Sequence, residues 1–434
     1  ESGSYWYITF DNPPDPDDIK YVDIKDGWRN GSVNLELTPQ YNRNSGHNHN
    51  FFADYIWEGD DLTSPTDWFV AANWDQGILP GLNDSIVIPD VTNNPVLSTN
   101  DPYNDYYIIV ETGGALTLNG YILGARTIDN SGTITIGNGT LEVSEYVNNA
   151  GTMTLSTGEL TVGGDISITG TLECSGTATI TIGGDWDSSS TLSTFNAGES
   201  TVTMTGDGSI TAYPNYAPDP NPIGAFYNLK IAGGTVLGSS TIYITGQLQL
   251  ESGTFTTISG DAPVFLTGRG TVLSGTPTAA NLNCVILAYY PTYTLVGEET
   301  EWAQNITSGN YSGVYALALV GQGGTIGDTI EGDTIFTLQP GGLTTNILAL
   351  LNTNSVDTDD ARAIFNTENY PVTLSDICVG NLFDEEAENS LGLLQLGSST
   401  LNADNIIIFY AANVTGQNTI TCNSATIYVS ENWL

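Results

Sequence analysis

A short segment recurs along this chain at a nearly constant spacing. Three copies begin with Gly-Thr, at Gly132, Gly151 and Gly170, and they are equally spaced. Related copies begin at Gly114 and at Ser190, where the spacing differs by a single position. Within each copy apolar residues alternate with threonine, which is typical of strands that bury one face. A repeat of about 19 residues is too short to contain a helix and fits one coil of a β-solenoid.

The repeat predicts an all-β fold, a right-handed parallel β-solenoid with coils of about 19 residues. The strands of each coil would lie about 4.8 Å from those of the previous coil, and right-handed winding is the default for parallel crossovers. Ile134, Met153 and Leu172 should therefore stack in one interior column, with glycine and asparagine at corners that need positive φ. An antiparallel sandwich ranks below this fold because regular Asn-Gly or Asp-Gly hairpins are missing.

Tryptophan and proline concentrate near the N-terminus. Five of the 8 tryptophans occur by position 74, and nine of the 18 prolines occur by position 102. We therefore predict an irregular, aromatic-rich cap or lateral domain at 1–104 and the solenoid at 105–434. Loop insertions are expected near 213–222 and 289–312, and the apolar run 347–351 leaves a short helix open as an alternative.

The chain carries far fewer basic residues than acidic ones. It has 49 Asp and Glu against 8 Lys and Arg, which gives a formal net charge of −41. Such a surface repels phosphates and anionic lipid headgroups, so nucleic acid and acidic membranes are not expected as partners. No stretch approaches the roughly 20 apolar residues of a membrane-spanning helix. The first residue is Glu1, which fits either a secreted protein after removal of its signal peptide or a trimmed chain.

The cysteines are too few for a disulfide scaffold, since there are only 4 in 434 residues. Cys174, Cys284 and Cys422 alternate with apolar neighbours, so strand parity places them on an inward face as buried thiols. The alternative is one disulfide bridge, for which Cys378 and Cys422 are the best-placed pair.

Two stretches resemble a family of secreted bacterial surface proteins. One is 57–89, with the motifs Trp-Glu-Gly, Thr-Asp-Trp, Ala-Asn-Trp and Gly-Ile-Leu-Pro; the other is 181–231, with Gly-Gly-Asp-Trp and Phe-Tyr-Asn-Leu-Lys. They are similar to Gly/Thr-rich parallel β-helix proteins of the adhesin or autotransporter-passenger kind. The resemblance implies a right-handed parallel β-helix exported to the cell exterior. It implies no catalytic residues, because that family has no agreed set.

A parallel β-helix also raises the possibility of a polysaccharide-degrading enzyme, which is our third hypothesis. Lyases of this architecture need cations to neutralise the uronate carboxylate, and they often use Lys or Arg as the base. Only three basic residues follow Arg126. A hydrolase needs two carboxylates roughly 5–9.5 Å apart, which 49 acidic residues satisfy by chance. Both histidines, His47 and His49, lie in an N-terminal loop. We therefore expect no enzymatic activity.

Several carboxylate clusters are candidates for a cation, and calcium is the ion that prefers such oxygen ligands. The cluster selected as the candidate metal site is Asp357, Asp359 and Asp360. The alternative is that these loop carboxylates are only solvated.

Both ends of the chain are strand-like and apolar, which predicts a head-to-tail contact between copies of the chain. The predicted interface comprises Tyr5, Trp6, Tyr7, Ile8 and Phe10 at one end, and Ile427, Val429, Trp433 and Leu434 at the other. The expected function is an extracellular structural protein, a self-assembling subunit of a surface filament, sheath or layer. The main alternative is a carbohydrate- or surface-binding adhesin module, with exposed aromatic residues in a groove. A further alternative is that both ends are cut edges of a longer protein.

Overall fold

The structure is a computed structural model that describes two long segments, 54–212 and 224–257, and a series of separate strands. Those strands lie at 6–8, 23–24, 27–29, 43–44, 264–266, 272–275, 282–288, 302–306, 309–321, 334–338, 343–352, 363–379, 392–408, 419–422 and 426–433. The described residues are nearly all β, and Ala71–Asn73 forms a single 3-10 turn. No helix long and apolar enough to cross a membrane occurs in these segments.

The chain divides into two compact units, Glu1–Gly198 and Glu199–Leu434. The strands of the first unit are β1 Trp6–Ile8, β2 Asp23–Ile24, β3 Gly27–Arg29, β4 Arg43–Asn44, β5 Tyr55–Ile56, β6 Ser85–Ile88, β7 Asp101–Val110, β8 Ala115–Thr117, β9 Ile122–Asn130, β10 Thr133–Gly137, β11 Thr140–Asn149, β12 Thr152–Leu155, β13 Glu159–Val162, β14 Ile166–Ile168, β15 Thr171–Cys174, β16 Thr179–Ile182, β17 Trp186–Ser188 and β18 Thr194–Asn196.

The strands of the second unit are β19 Thr201–Met204, β20 Gly208–Ala212, β21 Asn228–Gly238, β22 Ile242–Ile244, β23 Gln247–Thr257, β24 Val264–Leu266, β25 Val272–Gly275, β26 Leu282–Ala288, β27 Trp302–Ile306, β28 Gly309–Gly321, β29 Thr334–Leu338, β30 Leu343–Asn352, β31 Ala363–Asn366, β32 Val372–Val379, β33 Gly392–Gly397, β34 Thr400–Ile408, β35 Thr419–Cys422 and β36 Thr426–Trp433.

In the first unit, strands of successive coils pair in parallel and confirm the predicted parallel β-solenoid. One sheet runs in the order β8-β10-β12-β15-β18, and a second runs β5-β6-β7-β9-β11 and continues through β13-β16 and β14-β17. Ile134 is in register with Met153, Met153 with Leu172, and Leu172 with Phe195. The first two steps have the spacing of the sequence repeat, and the step to Phe195 is longer. The predicted interior column is confirmed.

Burial follows the alternation that the sequence displays. Ile134, Met153 and Leu172 are fully buried, and Phe195 is 2% exposed. The threonines between them face outward and are half-buried, because successive side chains on a strand point to opposite faces. Each coil therefore contributes one apolar residue to this interior column.

The predicted positive φ is found at the repeat glycines Gly234 and Gly253, whereas the corner glycines of the earlier copies serve close approach instead. The backbone at Gly132, Gly151 and Gly170 is not left-handed, but a Cβ at Gly151 would overlap the carbonyl oxygen of Gly132. Asparagines reinforce the same corner: Asn130 Nδ2 donates to Asn149 Oδ1 at 2.7 Å. The prediction about φ was wrong here because the sequence does not reveal how tightly two coils meet.

The second unit keeps the parallel stacking, retains the spacing of the repeat from Leu229 to Leu248, and has longer coils in its later part. One sheet runs β22-β24-β26-β28-β30-β32-β34-β36, and another runs β27-β29-β31-β33-β35. Leu343, Val372, Leu401 and Ile427 are in register, and each step between them is longer than the steps from Ile134 to Leu172. The spacing of the sequence repeat is therefore not general.

Several further predictions from the sequence can be compared with the structure. The region 1–104, predicted as an irregular cap or lateral domain, also contains parallel strand pairs, which are β1 with β3, β2 with β4 and β5 with β6. The insertion 289–312 includes β27, which pairs with β29 as a regular coil strand. The alternative of a short helix at 347–351 is wrong, since this run lies in β30. Short apolar runs have no periodicity that separates a helix from a strand. The insertion 213–222 lies outside the described residues.

The cysteine predictions are tested at one position. Cys174 is 3% exposed on the inward face of β15, as strand parity predicted. Cys378 and Cys422 lie on β32 and β35, in different sheets, and the structure does not describe their side chains. Their disulfide bridge stays a prediction.

Replacing Leu172 with Asp tests the interior column. The substitution places a carboxylate between Met153 and Phe195, so we expect the free energy of unfolding to fall by about 3 kcal/mol or more. Glu173→Ala, an exposed change one residue away, should stay within about 0.5 kcal/mol of wild type. Denaturant unfolding followed by circular dichroism measures both, and equal stability of the two variants would contradict the register.

Candidate functional site

The N-terminal half of the predicted assembly interface contains a strand that already has a neighbour. Trp6, Tyr7 and Ile8 form β1, which pairs in parallel with β3. Tyr5 and Phe10 lie outside the described residues. One edge of β1 is thus occupied within its own chain.

The C-terminal half of that interface lies on β36. Ile427, Val429 and Trp433 are in register with Leu401, Ala403 and Ile406 of β34. Within the segments that the structure describes, β36 is the last strand of its sheet and has β34 as its partner. Leu434 is outside those segments. The second edge of β36 is the strand surface to which the assembly hypothesis applies.

The predicted metal residues Asp357, Asp359 and Asp360 lie outside the described residues, so calcium at that site stays a prediction. Among the side chains that the structure describes, no group of three or more His, Cys, Asp or Glu residues is arranged to hold a metal ion.

Five aromatic residues of the segment 55–106 form a buried core and not an exposed ligand platform. Trp57, Trp68, Trp74, Tyr55 and Tyr106 are each at most 2% exposed. The ring of Trp74 lies edge-on to those of Trp57 and Trp68, with centroid distances of 5.0 and 4.9 Å. This edge-on geometry is favoured for aromatic pairs. The aromatic cluster therefore stabilises the end of the sheet that begins at β5.

The same segment closes the outer edge of β5. Asp75 Oδ1 accepts the backbone N–H of Ile56 at 2.9 Å, and Asp75 N–H donates to the Ile56 carbonyl at 3.0 Å. Trp57 and Trp74 form an antiparallel bridge. Asn73, fully buried, anchors the turn by donating to the Ser64 carbonyl at 2.8 Å. Sheet edges that are covered in this way do not pair with other chains.

Burial of this aromatic cluster changes the acid–base behaviour of Tyr55. Desolvation is the main cause, and the carboxylates of Asp84 and Asp75 add to it, so the pKa of Tyr55 lies well above its usual value. The folded protein therefore favours the neutral phenol.

A second cluster surrounds Arg126, on the outer face of β9. Its Nε lies 3.3 Å from Asp105 Oδ2 and 3.3 Å from Glu145 Oε1, and its Nη1 donates to the hydroxyl of Tyr107 at 2.9 Å. The Arg126 side chain is 13% exposed. Burial lowers the pKa of Arg126, but the Tyr107 hydroxyl and the two carboxylates outweigh it and raise the pKa above its usual value.

The Arg126 cluster exists because β11 carries a bulge. Val143 pairs with Ala125 and Tyr146 pairs with Thr127, so Ser144 and Glu145 lie opposite Arg126 alone. The extra residue directs Glu145 toward Arg126. Sequence reasoning did not select this cluster, although Glu145 follows Arg126 at the spacing of the repeat.

A groove of about 360 Å³ lies beside Arg126 on the outer face of β7, β9, β11 and β13. Its lining includes two carboxylates, two hydroxyls and two glycines: Asp105, Glu142, Ser144, Thr161, Gly124 and Gly163. Ser144 Oγ donates to Asp105 Oδ1 at 2.7 Å. This arrangement can accept hydrogen bonds from a ligand rich in donors.

Arg126→Gln tests the Arg126 cluster. The change leaves Asp105 and Glu145 facing each other without a cation, so we expect a loss of about 1–3 kcal/mol in the free energy of unfolding. Lys230→Gln is the matched control, because the Lys230–Glu251 pair, 2.8 Å long, is more exposed and should contribute at most about 1 kcal/mol. Equal losses in both variants, measured by urea titration, would refute a special role for Arg126.

The raised pKa of Tyr55 predicts a loss of stability at alkaline pH. The unfolded chain releases the Tyr55 proton near pH 10, before the folded protein does, so stability is complete below that pH and falls as pH rises above it. One such group contributes a slope of at most about 1.4 kcal/mol per pH unit. Tyr55→Phe should flatten the slope between about pH 10 and 12, with Tyr121→Phe as control. An unchanged slope in Tyr55→Phe would show that its burial is not maintained in solution.

Comparison of the chain with protein-family models, with curated proteins and with solved structures found no match. The resemblance carried by 57–89 and 181–231 therefore rests on those residues, and the parallel β-solenoid is the level of similarity that the structure establishes.

Proposed function

We propose that this chain is an extracellular structural protein without catalytic activity, a subunit that assembles with its own copies into a surface filament, sheath or layer. The observation that carries the proposal is the stacking of equivalent residues in successive coils. Thr133, Thr152, Thr171 and Thr194 are in register on one sheet, as are the apolar residues that follow each of them. Each coil thus presents the kind of edge on which another strand stacks in parallel.

The edge of β36 is where a second copy would add its strand. Ile427 and Val429 continue the register of Leu401 and Ala403, which are buried in the preceding coil. A strand from another copy would cover this last coil and use its backbone hydrogen-bonding groups, as in strand addition to an open sheet. Such a contact is heterologous and extends into a polymer unless it closes into a ring.

The opposite surface of the contact is not β5. Because Asp75 and Trp74 already occupy the outer edge of β5, the strand available from the N-terminal region is β1, with Trp6, Tyr7 and Ile8. The proposed head-to-tail contact therefore joins β36 of one copy to the β1–β3 region of the next.

Electrostatics sets the conditions for assembly. Copies that carry a net charge of −41 repel one another, and salt or a bound divalent cation reduces that repulsion. Calcium at Asp357, Asp359 and Asp360 is part of the proposal for this reason. A surface with so few basic residues also suits a protein that is exposed to anionic polymers and membranes but does not bind them.

A second candidate function is a surface-binding adhesin module, and the groove beside Arg126 favours it. The tryptophans Trp57, Trp68 and Trp74 do not favour it, because they are buried. Binding in the groove and polymerisation use different surfaces and are compatible in one protein.

Light scattering and negative-stain microscopy of the full chain test assembly. At high protein concentration with millimolar calcium we expect polymers, and deletion of residues 1–10 should leave monomers. The deleted chain keeps β36 and its melting temperature reports its folding. Added in small amounts to the full chain, it should attach through β36 and shorten the polymers.

The control is the same addition of the 1–10-deleted chain that also carries Ile427→Lys and Val429→Lys, which should not shorten the polymers because both of its proposed contact surfaces are lost. A full chain that stays monomeric under all these conditions would overturn the polymer proposal.

A further inference from the structure

The groove beside Arg126 arises from a missing side chain. On the outward positions of three neighbouring strands, Gly124 is in register with Glu142, and Glu142 with Thr161. Glycine leaves a gap where the adjacent coils carry larger residues. The gap measures about 360 Å³, within the range of pockets that hold small molecules.

The polar groups around this gap mostly accept hydrogen bonds. The carboxylates of Asp105 and Glu142 accept only, whereas the hydroxyls of Ser144 and Thr161 can donate as well as accept. Because Gly124 lacks a side chain, a ligand can also approach the backbone closely there. A ligand that fits this lining carries several donors on a small ring or chain.

The charge of the groove further restricts the class of ligand that can bind. Arg126 faces Asp105 and Glu145, and Ser144 donates to Asp105, so those carboxylates already have partners within the protein. Glu142 remains exposed beside them. The residual negative charge repels uronates, sulfates and phosphates, and among the described side chains no group of three or more His, Cys, Asp or Glu residues is placed to hold a divalent cation.

An exposed aromatic ring lies next to the same bulge. Tyr146, two residues after Ser144, is 37% exposed. Tyr107, on the neighbouring coil, places its ring face beneath the Arg126 guanidinium and accepts a hydrogen bond from it. Neither ring belongs to the lining of the groove, and the face of Tyr107 is covered by Arg126, so hydrogen-bond acceptors and not a stacking surface select the ligand.

We propose that the groove formed by Asp105, Gly124, Glu142, Ser144 and Thr161 binds a neutral saccharide whose hydroxyls donate to Glu142 and to the oxygens of Ser144 and Thr161, since these two donate their own protons to Asp105 and Glu159. This inference goes beyond the structural role and is independent of polymerisation, because the groove lies on the side of the coils and not on the edge of β36.

Titration of the full chain with cellohexaose and with maltohexaose, followed by calorimetry and by quenching of tyrosine and tryptophan fluorescence, tests the proposal. We expect saturable binding of at least one of them with a Kd on the order of 1 mM, as befits an open groove. Glu142→Gln should weaken it about tenfold, because hydrogen bonds to charged acceptors are the stronger ones. Thr161→Val should also weaken it.

Glu173→Gln is the matched control, since Glu173 is an exposed glutamate on the other sheet of the same unit, and it should bind as wild type does. Oligogalacturonate should not bind. No saturable binding of either neutral saccharide, or equal affinities in wild type and Glu142→Gln, would overturn the proposal. Binding of spermine alone, abolished by salt, would overturn it in favour of a cationic ligand.

Discussion

Close contact between the backbones of successive coils is the constraint on which the rest of this structure depends. At the repeat corner a Cβ on Gly151 would overlap the carbonyl of Gly132, so the coils approach without side chains between them. This approach lets the parallel ladders form along Thr133, Thr152 and Thr171. The buried pair Asn130–Asn149, 2.7 Å apart, satisfies polar groups that the tight corner removes from water.

Stacking of this kind divides every coil into an interior that must be apolar and an outer face that is free to vary. The interior columns hold residues such as Ile134 and Met153, fully buried. On the outer face Arg126 lies between Asp105 and Glu145. The proposed saccharide groove is a property of that free face, and the proposed assembly is a property of the stacking itself.

The N-terminal region shows how one composition fits two different structures. Tryptophans in an irregular, proline-rich stretch fit either exposed ligand contacts or a buried cap. The structure places Trp57, Trp68 and Trp74 in a core and uses Asp75 to cover the edge of β5. Sequence alone does not separate these outcomes because they depend on which chain segments meet, and Trp57 and Trp74 pair across an antiparallel bridge.

The sequence by itself determined the coil, its parallel stacking and the column of Ile134, Met153 and Leu172, because period-two alternation at a constant spacing, without regular hairpin turns, favours stacked coils over a sandwich. The tertiary structure alone decided the bulge opposite Arg126, the groove over Gly124 and the longer coils of the second unit. Those features depend on register shifts and on how closely coils approach. A repeat in the sequence carries no information about such distances.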